Sequence, residues 1–584
     1  ACFFLLLLGL LSIVKDTSSV VSTHPITGTS TIGSSINDFD DFNWSFDHNV
    51  TEYYFDTVVD HFNFRPTSDA TFPLRYFVND QYYANRSSPV LFYAGNEGSI
   101  VQFMNNSGFL FEAAKELQGM VVFAEHRYYG KSFPFGGSPE IALTLQNVSY
   151  LTVEQAMADF NTLSVHIRHK WNMGRDAAFI VAGGSYGGNL ALWLRLKNPN
   201  LWAGALASSA TPLKHLLRES NAFSKIVADV YGNVTKICPT LIRNGWKDLF
   251  HYMKEKTDDN DNDGGKMVQK ELNLCHIPSS NNDANEIYGF LLGALETMVQ
   301  YGYPYPTKFY NPVPAYPFKV ACENMVREKT PLASLRAAAQ VYYNYTGQAG
   351  SCFDWLSSSS SSSSSSLSFT ANGQQQQNFA TSDALVLNRR TKQKHGLLLS
   401  NDNWDEVAWN YQCCTEVYQP MPTNGITDIE LPYQPNKTEY FTTCQNRWEV
   451  TPRPNWEEMT FMSNNIQAGS NIFLTSGQLD PWRAAGIQSL PQHSSTPDSI
   501  IVRIIDNGAH HLDLRSSHPL DPPSVKKVRQ EELESFMRWI QQWQELYPST
   551  LSLSSSPISS KPINTDKSSL FVRRSTTVTS SEFA

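Results

Sequence analysis

Short apolar runs alternate with longer stretches of helical spacing over the first 210 residues, and again near the end of the chain. Residues 74–78 alternate as a strand does, and 89–93 form a brief apolar run that stops before Gly95. Phe109–Leu117 has helical spacing. Met120–Ala124 is apolar at every position, the pattern of a strand covered on both faces. An amphipathic helix is predicted over 153–171, a second buried strand over 177–182, a helix over 189–197 and a further strand over 201–208. Strand patterns return at 471–475 and Ile500–Ile505, and a last amphipathic helix runs from 525 to about 546. Strands alternating with helices imply an α/β fold with a mostly parallel sheet and helices on both faces.

From 211 to 451 the pattern turns helical, carries cysteines and is broken by polar stretches, which reads as an insertion capping the sheet. Within it, residues 357–366 are all serine and 374–377 all glutamine, so 356–400 is expected to be a disordered surface loop. The predicted layout is a signal peptide truncated at its start over 1–16 and a flexible arm or propeptide over 17–50. The sheet domain then occupies 51–210 and 452–547, around the cap at 211–451, with a disordered tail over 548–584. The apolar run 2–14 has signal-peptide length and is too short to span a bilayer; no later segment reaches that length, so no membrane span is expected.

Composition narrows the function. Apolar residues at 41% and charged residues at 17% mark a globular chain, and 12% aromatics suit a lined cleft. A net charge of −10 argues against a nucleic-acid partner. Glycosylation sequons at Asn43, Asn49, Asn85, Asn105, Asn147, Asn233, Asn344 and Asn436 join the leader in pointing to the secretory pathway. Cys2 lies in the leader, and the other seven cysteines fall between Cys238 and Cys444 without paired C-x-x-C spacing, which disfavours a zinc ribbon. In an oxidising lumen they read as disulfides within the cap, with one left over. There is no H-E-x-x-H, and the Asp-rich stretch 259–264 resembles the start of a calcium loop but has Lys270 where the bidentate Glu belongs. No metal and no cofactor is expected.

Gly183-Gly184-Ser185-Tyr186-Gly187 is a G-x-S-x-G sequence with a buried strand before it and a helix after it. That context makes Ser185 a candidate nucleophile projecting from a sharp turn at the C-terminal edge of the sheet. A serine hydroxyl needs a base oriented by an acid, in the chain order Ser, Asp or Glu, His. Asp480 follows the strand at 471–475, and His510 and His511 follow Ile500–Ile505. The pattern does not choose between the two histidines. His126 and Arg127 are expected to brace the core.

These stretches, with Tyr-Ala-Gly-Asn-Glu-Gly at 93–98, Phe-Ala-Glu-His-Arg-Tyr-Tyr-Gly-Lys-Ser at 123–132, Cys-Thr-Glu at 414–416, Leu-Asp-Pro-Trp at 479–482 and Gly-Ala-His-His-Leu-Asp-Leu-Arg at 508–515, resemble the serine peptidase family of the Pro-Xaa carboxypeptidases and their dipeptidyl peptidase relatives. The resemblance spans roughly residues 53–543 apart from the Ser/Gln segment. It implies an α/β-hydrolase fold with a disulfide-bearing helical cap, Ser185 as nucleophile, Asp480 as orienting acid and His510 as base. The oxyanion hole would use the backbone N–H of Tyr186 and one from the Gly95–Asn96 turn. Trp482, Asn189, Gln419, Asn410 and Glu97 become substrate-contact candidates. The disulfides carry over as Cys238–Cys322, Cys275–Cys352 and Cys414–Cys444, leaving Cys413 as the odd one; a further family bridge near 213–218 and 421–423 has no cysteines here.

The implied substrates are short proline-containing peptides, and the implied setting is a lysosome, a vacuole or the outside of the cell. A homodimer is compatible with the resemblance. Asn189 and Gln419 stand where the carboxypeptidase has methionines, which makes the pocket more polar. Asn410 stands where the dipeptidyl relative has an ammonium-binding Asp, and a neutral amide holds an ammonium less tightly. Release of a C-terminal residue after proline is therefore the expected reaction. The alternatives are release of N-terminal Xaa-Pro or Xaa-Ala dipeptides, and ester hydrolysis on the same fold.

Overall fold

In the computed structural model the runs that are apolar at every position become the inner strands of one sheet. Residues 49–64, 71–254, 263–348, 350–356, 404–461, 463–490 and 499–548 are described. The expected leader, the arm up to 48, the Ser/Gln loop beyond 356, the tail beyond 548, the calcium-loop look-alike up to 262 and the Asn43 sequon lie outside them.

The strands are β1 (Thr51–Val58), β2 (Thr71–Asn79), β3 (Val90–Ala94), β4 (Met120–Ala124), β5 (Phe179–Gly184), β6 (Gly204–Ser208), the two-residue β7 (Thr307–Lys308) and β8 (Pro312–Val313), β9 (Ile472–Gly477) and β10 (Ile500–Ile505). Eight of them form a sheet in the order β1-β2-β4-β3-β5-β6-β9-β10, and β7 and β8 pair in the cap. β2 pairs antiparallel with both neighbours and every other pairing in the large sheet is parallel. This order, with β2 reversed and a G-x-S-x-G turn after β5, is the α/β-hydrolase fold.

Strand side chains alternate between two apolar layers. Val90, Phe92 and Ala94 face one layer with Phe160 and Leu163 of helix Val153–Lys170 and Leu190 and Trp193 of helix Tyr186–Lys197. Leu91 and Tyr93 face the other, with Leu110 of helix Phe109–Leu117 and Phe536 and Trp539 of helix Pro523–Leu546. Two buried faces explain why β3 and β4 read as unbroken apolar runs. Each large side chain enclosed this way contributes roughly 1.5–3 kcal/mol.

The boundaries differ from the sequence pattern where hydrogen bonding decides them. The N–H groups of Leu201 and Trp202 both donate to Asn198 O, closing the preceding helix, so β6 starts at Gly204. The helix expected from 189 begins at Tyr186, where Gly187 and Gly188 mask its propensity.

Between β6 and β9 the chain builds helices with a core of their own. Trp246, Leu249, Ile287, Leu291, Leu332 and Leu335 pack among helices Cys238–Lys254, Asn281–Gln300 and Pro331–Tyr343. Ser280 and Asp283 form a capping box that starts the second of these. A smaller cluster joins Ala408, Tyr411 and Trp448 of helices Trp404–Thr415 and Lys437–Trp448 to Tyr128, Tyr129 and Leu143 of the sheet domain.

Cys238–Cys322, Cys275–Cys352 and Cys414–Cys444 are disulfide-bonded. Loops of this length correspond to about 3.5–4.5 kcal/mol each in the chain-entropy account. Cys413 is buried beside Cys414 and is not a free thiol, which corrects the expectation of a leftover cysteine there. Asn49, Asn85, Asn105, Asn233 and Asn436 are exposed, and Asn147 and Asn344 half-buried. No helix among the described residues is long and apolar enough to cross a membrane.

Candidate active site

Ser185 sits between β5 and the next helix at φ 56°, ψ −125°, a backbone region costly for a residue with a Cβ. Its N–H donates to Ser208 O at 2.9 Å and its carbonyl accepts from Asn189 N at 3.1 Å, so strand and helix hold the turn from both sides. The glycines follow from crowding. A Cβ on Gly183 would stand 2.1 Å from Gly187 O, and one on Gly187 would stand 2.6 Å from Ala94 O. The helix that starts at Tyr186 directs its N-terminal dipole at the site.

Asp480 and His510 come from the loops after β9 and β10, which are tied together by Leu479 N donating to Gly508 O at 2.8 Å and Gln478 N to Ile505 O at 2.9 Å. Asp480 is fully buried; its Oδ1 accepts from Trp482 N at 3.0 Å and its Oδ2 lies 2.8 Å from His510 Nδ1. A carboxylate only accepts, so Nδ1 carries the proton and Nε2 keeps a lone pair for chemistry. The cap fixes the backbone of His510: its N–H donates to Gln300 O at 2.9 Å and its carbonyl accepts from Tyr303 OH at 2.9 Å. No hydrogen bond joins His511 to Asp480 among the described residues; its N–H donates to Ser209 Oγ at 2.8 Å, and burial, then His510 and Arg515, push its imidazole well below the usual value. Geometry thus separates the two histidines that the pattern leaves equivalent.

The Gly95–Asn96 turn meets the serine turn through Asn96, whose Nδ2 donates to Gly184 O at 2.5 Å while its Oδ1 accepts from Tyr93 OH at 2.9 Å. Next to it, Glu97 has an Oε2 without a partner, and burial pushes its carboxyl up to about 7 against the opposing pull of its own N–H, His510, Asn96 and Lys214. Ser99, one position past Gly98, accepts from Arg75 Nη2 at 3.1 Å. Arg127 grips Asp159 at 2.6 and 2.8 Å and caps three backbone carbonyls, bracing the core as expected.

Ser185, His510, Asn96 and Glu97 open on one cavity of about 90 Å³. Its opposite wall is Tyr301, Phe309, Tyr310, Asp405, Glu406 and Trp409, all from the inserted helices and loops. Burial pushes Asp405 up to about 6 although Gly130 N donates to it at 3.2 Å. The other four substrate-contact candidates do not line this cavity. Asn189 is turned to Thr211, whose N–H donates to its Oδ1 at 2.8 Å. Asn410 accepts from Trp448 Nε1 at 3.0 Å. Trp482 and Gln419 are buried, the indole N–H of one and the amide oxygen of the other without partners. Asp405, Trp409 and Gln412 went unread in the sequence although they recur at i, i+4 and i+7, one face of helix Trp404–Thr415.

The family model described as serine carboxypeptidase S28 matches residues 57–532. Lysosomal Pro-X carboxypeptidase of Bos taurus is 34% identical over 493 residues, 83% of this chain and 87% of that protein. A Caenorhabditis elegans protein described as prolyl carboxy peptidase like protein 5 is 32% identical over 522 residues, 84% of this chain and 90% of its own length. The thymus-specific serine protease of Mus musculus is more distant, at 24% over 495 residues, 82% of this chain and 85% of that protein.

Proposed function

The chain belongs to the serine carboxypeptidase S28 family and is a serine peptidase, and from that premise we propose that it releases the C-terminal residue that follows proline in short peptides. The observation that carries the assignment of roles is that His510, held by the buried Asp480 at 2.8 Å, lines the same cavity as Ser185. His510 Nε2 takes the proton of Ser185 Oγ as the oxygen attacks the carbonyl carbon of proline. The oxyanion is met by the N–H of Tyr186 and one from the Gly95–Asn96 turn, which the Asn96 side chain pins in place. His510 returns the proton to the leaving amine, and water then hydrolyses the acyl-enzyme. The unpaired indole N–H of Trp482 and amide oxygen of Gln419 support keeping both as candidates for the walls around the proline.

For location we propose an acidic compartment of the secretory pathway. The support is three sets of neighbouring carboxyl groups, Glu154 with Glu416, Glu296 with Glu430, and Glu532 with Asp513, in which burial and then the acidic neighbour raise Glu416, Glu296 and Glu532. Carboxyls raised this way stay neutral in acid, where their burial costs least.

One observation favours dipeptidyl release as the second reading. Glu97, Asp405 and Glu406 line the cavity with no Lys or Arg among its described walls, and once Glu97 and Asp405, raised to about 7 and about 6, lose their protons, such a wall draws a cationic N-terminus. A peptide with a blocked N-terminus and proline next to last separates the two. Liberation of its free C-terminal amino acid is expected. Inertness of that peptide, with dipeptides released from the unblocked form, would overturn the carboxypeptidase reading.

A further inference from the structure

Behind the serine turn runs a chain of buried hydrogen bonds whose direction is fixed by chemistry. It ends at the carbonyl of Arg127, 2.7 Å from His126 Nδ1, and a carbonyl only accepts, so Nδ1 carries the ring proton. His126 Nε2 must then accept, and it does so from Tyr186 OH at 3.1 Å. Burial lowers this imidazole to about 4, which keeps it neutral and able to accept. With its proton committed, the Tyr186 oxygen accepts from Gln412 Nε2 at 2.9 Å, and Gln412 Oε1 in turn accepts from Tyr129 OH at 2.5 Å. Tyr129, Gln412, Tyr186 and His126 are all buried.

The chain joins three parts of the molecule: the loop after β4, the residue that follows Ser185, and the inserted helix Trp404–Thr415. That helix also carries Asp405 and Trp409 into the cavity wall, and Trp409 packs edge-on to Tyr186 with ring centroids 5.4 Å apart. We infer that Gln412 is a positioning residue which sets the cap-borne wall of the cavity in register with the serine turn, so that a bound peptide carbonyl is presented to Ser185 and to the Tyr186 N–H. The inference rests on the reading of Ser185 as nucleophile. Gln412 touches no substrate; it acts through Tyr186 on one side and through Trp409 and Asp405 on the other. An error of about 1 Å in such a register costs on the order of 100-fold in turnover.

The test compares Gln412→Met, which keeps the volume but breaks the chain, with Gln412→Glu, whose carboxyl in its protonated form can still accept from Tyr129 and donate to Tyr186. Both full-length variants are assayed at acid pH with a blocked proline peptide and with a small fluorophosphonate, which needs the serine turn and His510 but no cap wall. For Gln412→Met a 10- to 100-fold loss in kcat with a smaller change in KM is expected, while labelling of Ser185 slows by less than about threefold. Gln412→Glu is expected to recover most of the lost kcat. Unchanged kcat in Gln412→Met, an equal fall in turnover and labelling, or no recovery in Gln412→Glu would each overturn the inference. Failure of the unmutated protein to be labelled at Ser185 would overturn the nucleophile reading beneath it.

Discussion

The sheet and the cap reach the same cavity by different means. In the sheet domain each chemical group stands just past the end of a strand: Ser185 after β5, Asp480 after β9, His510 after β10 and Asn96 after β3. Position along the strand is enough to bring them together, because parallel neighbours deliver all their C-terminal ends to one edge. In the cap, Asp405 and Trp409 arrive by helix packing, Tyr301 at a helix end and Phe309 in the turn between β7 and β8, and disulfides and buried polar contacts fix where the helices lie. The difference predicts that sheet substitutions stop the chemistry, whereas cap substitutions misplace the substrate.

The largest effect belongs to the sheet. Ser185→Ala or Asp480→Asn is expected to lower kcat by about 10⁴-fold or more with little change in melting temperature, measured on the blocked proline peptide. Next comes the cap. Replacing Cys414 and Cys444 by Ser removes the tether between helices Trp404–Thr415 and Lys437–Trp448 and is expected to cost about 2–4 kcal/mol in denaturant unfolding. Peptide turnover should fall further than fluorophosphonate labelling; a parallel fall in both would erase the distinction between the regions.

The paired carboxyls give a pH signature that crosses both regions. Glu416, Glu296 and Glu532 are raised by burial and then by their acidic neighbours. A raised folded-state value means the stability is present at low pH and lost as pH rises through it. The melting temperature is expected to be higher near about pH 5 than near about pH 8, and Glu532→Gln should narrow that gap; an unchanged or reversed gap speaks against the raised carboxyls.

Glu97 offers a finer probe at the seam. Held up to about 7 by burial, it is neutral in acid and charged above that point, where its anion opposes a developing oxyanion. Activity should decline by up to about tenfold per pH unit above about 7, and Glu97→Gln should flatten that limb. The smallest effect is expected at Asn410, which is bonded to Trp448 and does not line the cavity. Asn410→Ala should change kcat/KM by less than about threefold. A larger loss would return it to the substrate pocket.

How much of this was legible follows the same division. Met120–Ala124 and Ile500–Ile505 read off the sequence to the residue because burial on both faces of the inner strand, and an apolar run broken only by Arg503 in the other, leave a local signature. Asp480 and His510 were legible because loops after strands obey chain order. β1 was missed because it lies at the sheet edge with an exposed or half-exposed residue at most positions; its register comes from β2. Trp409 and Asp405 carry no local mark of function. Only the placement of their helix over Tyr186 makes them part of the site, and Asn189, in helix Tyr186–Lys197, is bonded to Thr211 instead of lining the cavity.

The central claim is that Ser185, Asp480 and His510 act as one unit. Mass mapping of fluorophosphonate adducts, with the labelling rate followed in the native protein and in Asp480→Asn, tests it most directly. A single adduct on Ser185, slowed by about 10³-fold or more in the variant, is the expected result. An adduct on another residue, or equal rates in the two proteins, would contradict it.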